Sequence, residues 1–211
     1  MYLDFCTYNR TSNKSLDSQL EDIFLAIRLG FNNISVPIRT LRELKPFLKE
    51  TNITAASPVD YPFGNSEKMP RFHRTVRALK AGASTIDLVG NNYFLHNKSY
   101  GKFSEEIKEH LKICLDHDAE LRIVLDNSKY EPSEIIAISK VLGESGIEYV
   151  IPSTGFYRDD IYDNIITSMS IESKTSVKSI VSGHMWLEKH HKMAIEGLFF
   201  GLRAYSLELF V

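Results

Sequence analysis

The sequence is poor in cysteine, in long apolar runs and in net charge, and each shortage excludes a class of protein. Two cysteines, Cys6 and Cys114, are too few for a disulfide framework or a four-cysteine zinc site, and apolar neighbours indicate small core residues. No apolar segment approaches the roughly 18 residues that cross a bilayer, and the N-terminus lacks the pattern of a secretory signal. A net charge of -2 gives no general attraction to nucleic acid or acidic membranes. We therefore expect a cytoplasmic protein without nucleic-acid or membrane partners.

The sequence instead shows short β-like runs alternating with longer segments of helical period. The predicted strands lie near residues 2–6, 33–36, 53–59, 85–89, 121–126, 148–151, 176–181 and 198–202. Between most of them, apolar residues recur every three or four positions, which is typical of amphipathic helices. Strict alternation favours a parallel sheet with helical crossovers, and eight strands are the number that closes a (β/α)8 barrel. We predict an α/β fold with one TIM barrel domain over residues 1–211; a doubly wound open sheet is the alternative.

Ionisable residues inside the predicted strands mark where chemistry is expected. In both architectures ligands bind beyond the carboxyl ends of the strands. Asp87 lies within an apolar fourth strand, and Asp4 lies in the first. Burial of a carboxylate in a barrel core is costly unless the group has a function or pairs with a cation. A role in the site and a structural ion pair are therefore both open. Lys178 in the seventh strand is either an inward amine, whose pKa desolvation would lower, or an outward hydrated lysine.

Small residues follow the sixth and seventh strands, at Ser153-Thr154-Gly155 and Ser182-Gly183. Backbone N–H groups in such turns can approach a phosphate or carboxylate, although ordinary turns have the same composition. Arg203 at the end of the eighth strand adds a charged fork to this region, unless it is a surface arginine. The adjacent histidines His190 and His191 point about 100° apart on a helix, so we expect no metal site.

Several runs, in order along the chain, match the pattern of one known family. They are Leu3-Asp4, Tyr61-Pro62-Phe63-Gly64, Ala81-Gly82-Ala83-Ser84-Thr85-Ile86-Asp87-Leu88-Val89, Leu121-Arg122-Ile123-Val124-Leu125-Asp126, and Gly146-Ile147-Glu148-Tyr149-Val150 followed by Ser153-Thr154-Gly155-Phe156. They resemble the opening aspartate strand, the PFG turn, and the GAxEIDMV, LKVIIE and GADFVKTSTGF segments of the deoxyribose-phosphate aldolase family. The similarity covers nearly the whole chain with the family's spacing.

This resemblance implies a class I aldolase, in which a barrel lysine forms a Schiff base with an aldehyde. A second lysine lowers the pKa of the first, an aspartate relays protons, and the iminium is the electron sink, so no metal or organic cofactor is implied. By the resemblance, Asp87 is the proton-relay aspartate and Asp4 the first-strand aspartate. The Schiff-base lysine falls on Ile151, which cannot form an imine. Lys178 is the remaining candidate amine, because it lies two residues from Ile180, the second lysine's position, and so on the same strand face.

The leading hypothesis is an aldolase-like carbon–carbon lyase of sugar metabolism that acts on a small aldehyde or sugar phosphate. Its catalytic residues would be Asp87, Lys178 and Asp4, and its substrate-binding residues Ser153, Thr154, Gly155, Ser182, Gly183 and Arg203. The alternative is a catalytically inactive barrel that binds a small anionic metabolite or a protein partner, as the lost imine lysine suggests. A third hypothesis is an isomerase or dehydratase with Asp87 and His184 as acid and base. A homodimer is one assembly that the sequence allows.

Overall fold

The computed structural model describes residues 1–8, 14–49, 51–156, 160–185, 187–197 and 199–211, and within them eight parallel strands form a closed barrel. The strands are β1 (Tyr2–Cys6), β2 (Asn33–Ser35), β3 (Thr54–Val59), β4 (Thr85–Val89), β5 (Glu120–Val124), β6 (Tyr149–Ile151), β7 (Lys178–Ser182) and β8 (Gly201–Ala204). Each strand pairs with the next in parallel, and β8 pairs with β1. The predicted (β/α)8 barrel is confirmed, and the open-sheet alternative is wrong.

Helices surround the barrel and cover the outward face of its strands. The helices of the described residues are α1 (Leu16–Arg28), α2 (Ile38–Leu48), α3 (Lys68–Ala81), α4 (Asn92–His96), α5 (Tyr100–Leu115), α6 (Pro132–Glu144), α7 (Ile161–Lys174) and α8 (Glu188–Glu196). Ile86 and Leu88 show the packing, because both are fully buried in the main apolar core while Asp87 between them faces the other way. Both cysteines are buried and free. Across the described ranges, no helix combines the length and apolarity that crossing a membrane requires.

Of the differences between the predicted and observed strand boundaries, those of the seventh and eighth strands move candidate residues. The seventh strand begins at Lys178 rather than at residue 176, so Lys178 lies at the amino-terminal rim of the barrel. The eighth strand is shifted toward the C-terminus, so Arg203 lies inside it and pairs with Asp4; the predicted start at Leu198 lies outside the described residues. The first residue of a strand depends on its pairing with the neighbouring strands, and a β-rich local composition does not predict that pairing.

A buried charge cluster outside the barrel joins the turn after β3 to α3 and α5. Arg71, which is fully buried, donates from Nη1 to Asp60 Oδ2 at 2.5 Å and from Nε to Glu106 Oε1 at 2.7 Å. Its Nη2 donates to the backbone oxygen of Val89 at 2.7 Å. Asp60 has a φ of 63°, in the left-handed region that non-glycine residues rarely occupy. The ion pairs therefore stabilise an unfavourable backbone conformation at this turn, on the carboxyl-terminal side of the barrel.

Candidate functional site

Four charged side chains fill the interior of the barrel. Asp4 of β1, Asp87 of β4, Arg122 of β5 and Arg203 of β8 are each at most 1% exposed. They occupy inward positions because successive side chains of a strand alternate between the barrel interior and the helix layer. The strand register places Asp4 beside Arg203 and Asp87 beside Arg122. Two carboxylates and two guanidinium groups balance in formal charge, as a buried charge cluster requires.

Each arginine interacts with both carboxylates. Arg203 donates from Nε to Asp4 Oδ2 at 2.7 Å and from Nη2 to Asp87 Oδ2 at 2.5 Å. Arg122 donates from Nε to Asp87 Oδ1 at 2.8 Å, and its Nη2 lies 3.5 Å from Asp4 Oδ2. The four groups thus form one continuous network rather than two separate ion pairs.

Hydroxyl and amide groups complete the hydrogen bonding of this network. Ser35 Oγ donates to Asp4 Oδ1 at 2.8 Å, and Asn33 Nδ2 donates to the same oxygen at 2.7 Å. The hydroxyl of Tyr8 donates to Asp87 Oδ2 at 3.3 Å and accepts a hydrogen bond from Arg203. Because these groups form hydrogen bonds with the charged atoms, the cluster avoids the cost of unpaired buried charge.

The same contacts keep the carboxyl of Asp87 ionised. Burial alone would raise the pKa of Asp87, but the charges and hydrogen bonds of Arg122 and Arg203 outweigh it and lower that pKa. The pKa of the Arg203 guanidinium is raised well above its ordinary value, because the attraction of Asp4 and Asp87 outweighs desolvation by burial. A general acid–base group works best with a pKa near the operating pH. Asp87 is therefore poorly suited to relay protons in this arrangement.

The position that the family pattern gives to the Schiff-base lysine lies in an apolar layer. Ile151 is fully buried and clusters with Val89, Val124 and Ile180. All lysines of the described residues are exposed except Lys129, which is half-buried and lies 3.2 Å from Asp126 Oδ2 beyond the end of β5. No lysine among them is buried in the barrel interior.

Lys178 does not enter the barrel, and the prediction of an inward amine with a lowered pKa is wrong. Its side chain is 47% exposed, and its Nζ lies 2.7 Å from Glu148 Oε1. The hydrogen bond with Glu148 raises the pKa of Lys178. The Nζ also lies 5.4 Å and 5.2 Å from the ring centroids of Tyr149 and Phe200. Because Lys178 is the first residue of β7, it lies at the end of the barrel opposite to the one at which TIM barrels bind ligands.

The two small-residue turns meet at the carboxyl-terminal mouth. Ser182 Oγ donates to the backbone oxygen of Ser153 at 2.8 Å, which joins the ends of β7 and β6. The backbone oxygen of Thr154 accepts from the hydroxyls of Tyr61 at 3.0 Å and Tyr205 at 3.4 Å. The structure thus brings the predicted turn residues together, while their role as ligand contacts stays a prediction.

Three tyrosines cover the barrel interior at this mouth. The rings of Tyr8 and Tyr61 meet edge to face at 4.6 Å. Tyr205 lies against Gly155, where an added Cβ would be 2.6 Å from the tyrosine oxygen and where φ is +69°. Glycine at 155 therefore makes room for Tyr205. The ring of His184 lies 5.1 Å from that of Tyr205, at the edge of the mouth.

Arg203 pairs with Ser182 in the strand register, as its predicted place near that turn requires, and its burial shows that the surface alternative is wrong. The guanidinium is directed at Asp4 and Asp87 in the interior. Sequence reasoning also missed Arg122 as a partner of Asp87. The available signal was an arginine in the apolar strand that follows Asp87's strand, but only the register shows that the two are opposite. Within the described ranges, no cluster of three or more His, Cys, Asp or Glu residues could hold a metal ion.

Comparisons with known proteins find relatives of the whole barrel. No profile of a known protein family matches the chain. The chain is 28% identical over 156 residues to a deoxyribose-phosphate aldolase of Mycoplasma capricolum, covering 73% of this chain and 69% of the relative. It is 25% identical over 197 residues to deoxyribose-phosphate aldolase 1 of Mesoplasma florum, covering 93% and 88%. The deoxyribose phosphate aldolase structure from Aeropyrum pernix, at 14% identity, superposes with a TM-score of 0.86 over 99% of this chain and 87% of that one, which shows the shared fold.

Proposed function

Because this chain belongs to the deoxyribose-phosphate aldolase-like family, we propose that it is a member without imine chemistry, which binds a small anionic metabolite at the mouth of its barrel. Of the functions that the sequence leaves open, the contacts of Asp87 favour this one. Its carboxyl interacts with two buried arginines, Arg122 and Arg203, and with no lysine of the described ranges. The candidate relay carboxyl is thus held in an ion network, and the Schiff-base position is Ile151 in a separate apolar layer.

The chemistry of the missing step supports the same proposal. Schiff-base formation requires a neutral lysine amine that reaches the carbonyl carbon in a site shielded from water. Ile151 provides no amine, and Lys178 is exposed and paired with Glu148 at the other end of the barrel. An isomerase that uses Asp87 and His184 fits less well, because Asp87 already interacts with two cations and His184 lies against Tyr205. A reaction through Asp87 would first have to separate these ion pairs.

The proposed ligand class comes from the mouth of the barrel. The names of the relatives specify a phosphate-bearing sugar, and the mouth of this chain retains Ser153-Thr154-Gly155 and Ser182-Gly183. Backbone N–H groups in turns of small residues suit a phosphate or carboxylate. We extend this ligand class to the chain as part of the proposal, with the cytoplasm as its compartment.

Reduction with sodium borohydride in the presence of acetaldehyde tests the absence of imine chemistry. We expect no reduced adduct on any lysine by peptide mass spectrometry, because the lysines of the described chain are exposed or, at Lys129, paired with Asp126. An active deoxyribose-phosphate aldolase treated in parallel is the positive control. A stoichiometric adduct on a single lysine would contradict the proposal, and its position would identify the amine that the chain uses.

Thermal unfolding with 2-deoxyribose 5-phosphate tests the binding half of the proposal. A ligand at about 100 times its Kd stabilises the folded state by about 2.7 kcal/mol, so we expect a clear rise in Tm. Ser182→Val should reduce this rise, because it removes the hydroxyl that joins the turn after β7 to the turn after β6. Lys178→Ala should show the wild-type rise, because Lys178 lies at the opposite rim. If only Lys178→Ala lost the rise in Tm, the ligand would bind at Lys178 and not at the mouth. If the wild type showed no rise in Tm, this compound would be excluded as a ligand.

A further inference from the structure

The outer surface of α2 and α3 has an excess of basic residues. α3 carries five lysine and arginine residues and no acidic residue. Its Arg71 is buried, and the other four are exposed. α2 carries three basic residues and one acidic residue, and the exposed Lys49 follows it. Because the net charge of the chain is -2, this surface is opposite in sign to the chain as a whole.

Spacing places the basic residues of α3 in one stripe. His73, Arg77 and Lys80 are separated by four and three residues, so they lie on one side of the helix. Arg74, three residues before Arg77, widens this stripe. The opposite side of α3 is buried, and the residues there are Arg71, Thr75 and Ala78. The stripe therefore faces away from the core.

α2 carries a second stripe on the side that faces α3. Arg42, Lys45 and Lys49 are separated by three and four residues, and the backbone of Lys49 is still helical. The side chain of Lys45 lies against Gly82, the residue after α3, where an added Cβ would be 3.1 Å from Lys45 Cδ. The two helices also pack against each other. The two stripes are therefore adjacent.

Together the two stripes form a surface that we call the α2–α3 basic face. Its residues are all exposed, and they are Arg39, Arg42, Lys45, Lys49, His73, Arg74, Arg77 and Lys80. Across the ranges that the structure describes, only Arg74 among them forms an ion pair, with Asp60 Oδ1 at 3.5 Å. Attraction to a helix C-terminus accounts for Lys45 and Lys80 in the last turns, but not for the arginines of the earlier turns. The unpaired cations fit a partner that is strongly acidic.

We propose that the α2–α3 basic face binds the phosphate backbone of a double-stranded nucleic acid, without reading its sequence. Basic residues clustered along a helix are the electrostatic footprint of a protein that contacts phosphates. The planar guanidinium of arginine matches phosphate geometry with two parallel hydrogen bonds. Arginines contribute half of this face, namely Arg39, Arg42, Arg74 and Arg77. The expectation of no nucleic-acid partner came from the net charge, which averages over this separation of charge.

The two stripes are arranged as a duplex requires. The axes of packed helices lie about 8–10 Å apart. This distance is between the widths of the two grooves of B-DNA, about 6 Å and about 12 Å. The stripe of α2 and the stripe of α3 can therefore each follow one of the two strands that border a groove.

The position of the exposed apolar residues favours a nucleic acid over a membrane surface. Helices that bind a bilayer surface place Trp, Phe or Leu into it. Phe47 and Met69 are the large apolar residues exposed on α2 and α3, both of which are fully described. The ring of Phe47 is turned toward α1, 5.4 Å from that of Phe24, and Met69 precedes the α3 stripe. No large apolar side chain therefore protrudes between the basic residues of these two helices.

Fluorescence anisotropy with a short labelled duplex DNA tests the proposal. For the wild type we expect a Kd in the micromolar range at low salt, and log K should fall linearly as log salt concentration rises. Arg42→Glu with Arg77→Glu should raise the Kd about tenfold or more, because it replaces two phosphate contacts with repulsion. It should also reduce the slope of the salt dependence by about two, since each lost contact removes about one unit.

Lys140→Glu with Lys174→Glu is the matched control, because it changes the net charge equally on α6 and α7, where both lysines are exposed. It should bind the duplex as the wild type does, and circular dichroism should show all three proteins folded. The basic face includes none of the turn residues at the mouth, so the response of Tm to 2-deoxyribose 5-phosphate should be the same in all three. Equal loss of DNA binding in both double variants, or a wild type that binds only phosphatidylserine vesicles or neither probe, would overturn the proposal.

Discussion

Replacing Arg203 with methionine is expected to lower the free energy of unfolding by about 3–5 kcal/mol at neutral pH, the usual cost of removing one partner from a buried ion pair. Arg203 donates to Asp4 and Asp87, and none of the three is more than 1% exposed. Methionine retains an apolar stem but leaves two carboxylates with Arg122 alone. Urea denaturation followed by circular dichroism measures the loss.

The stability difference between Arg203→Met and the wild type should shrink as the pH falls. In the wild type the pKa of Asp87 is lowered, so its ionisation stabilises the fold above the unfolded-state pKa, and that contribution disappears as the pH falls through the folded-state pKa. Arg203→Met removes much of the cause, so the two stability curves should converge in acid. The double variant Asp87→Leu with Arg203→Met removes one charge of each sign and should regain part of the loss.

Lys178→Met is the control for the removal of a charge. Its partner Glu148 and its own side chain are both about half exposed, and exposed ion pairs contribute little to stability. We therefore expect a denaturation midpoint close to that of the wild type. An Arg203→Met protein with that same midpoint would contradict the view that the barrel interior depends on the four-charge network.

Replacing His110 with phenylalanine is expected to flatten the acid side of the stability profile. His110 is fully buried, its Nδ1 lies 3.0 Å from Thr75 Oγ1, and its ring stacks on Phe72 at 4.1 Å. Its Nε2 lies 3.9 Å from Glu106 Oε1 and makes no hydrogen bond within the described chain. Burial, followed by the positive charge of the nearby Arg71, lowers the pKa of His110 to about 3.

The sign of the effect follows from which state binds the proton. An unfolded histidine titrates near 6.5, so between that pH and about 3 the unfolded chain holds a proton that the folded chain lacks. Stability therefore falls as the pH falls through this window, by up to about 1.4 kcal/mol per pH unit from this group. At pH 7, His110→Phe should have a free energy of unfolding about 1 kcal/mol below that of the wild type, because it loses the hydrogen bond with Thr75. Below pH 6 this difference in stability should shrink. The exposed His117, changed to phenylalanine, is the control; parallel wild-type and His110→Phe profiles would contradict the prediction.

Local pattern was sufficient for the architecture and for part of the site. The spacing of apolar residues and the alternation of strands with helices predicted the barrel, because both periods arise from residues that are close in sequence. The same reasoning placed Asp87 in a strand among outward apolar neighbours, and Asp87 does face the interior. It also brought Ser153-Thr154 and Ser182 to one end of the barrel, where Ser182 contacts Ser153. Lys178 was misplaced because strand-face alternation does not show where a strand begins.

By itself, the amino-acid sequence determined an eight-stranded barrel with two carboxylates inside it and an isoleucine at position 151. Only the tertiary structure decided that Arg122 and Arg203 neutralise those carboxylates and that Lys178 remains at the rim. The reason is that register is set by strands far apart in the chain: Asp4 and Arg203 are hydrogen-bonded although 199 residues separate them. No local pattern carries that pairing, because it exists only after β8 closes the barrel against β1.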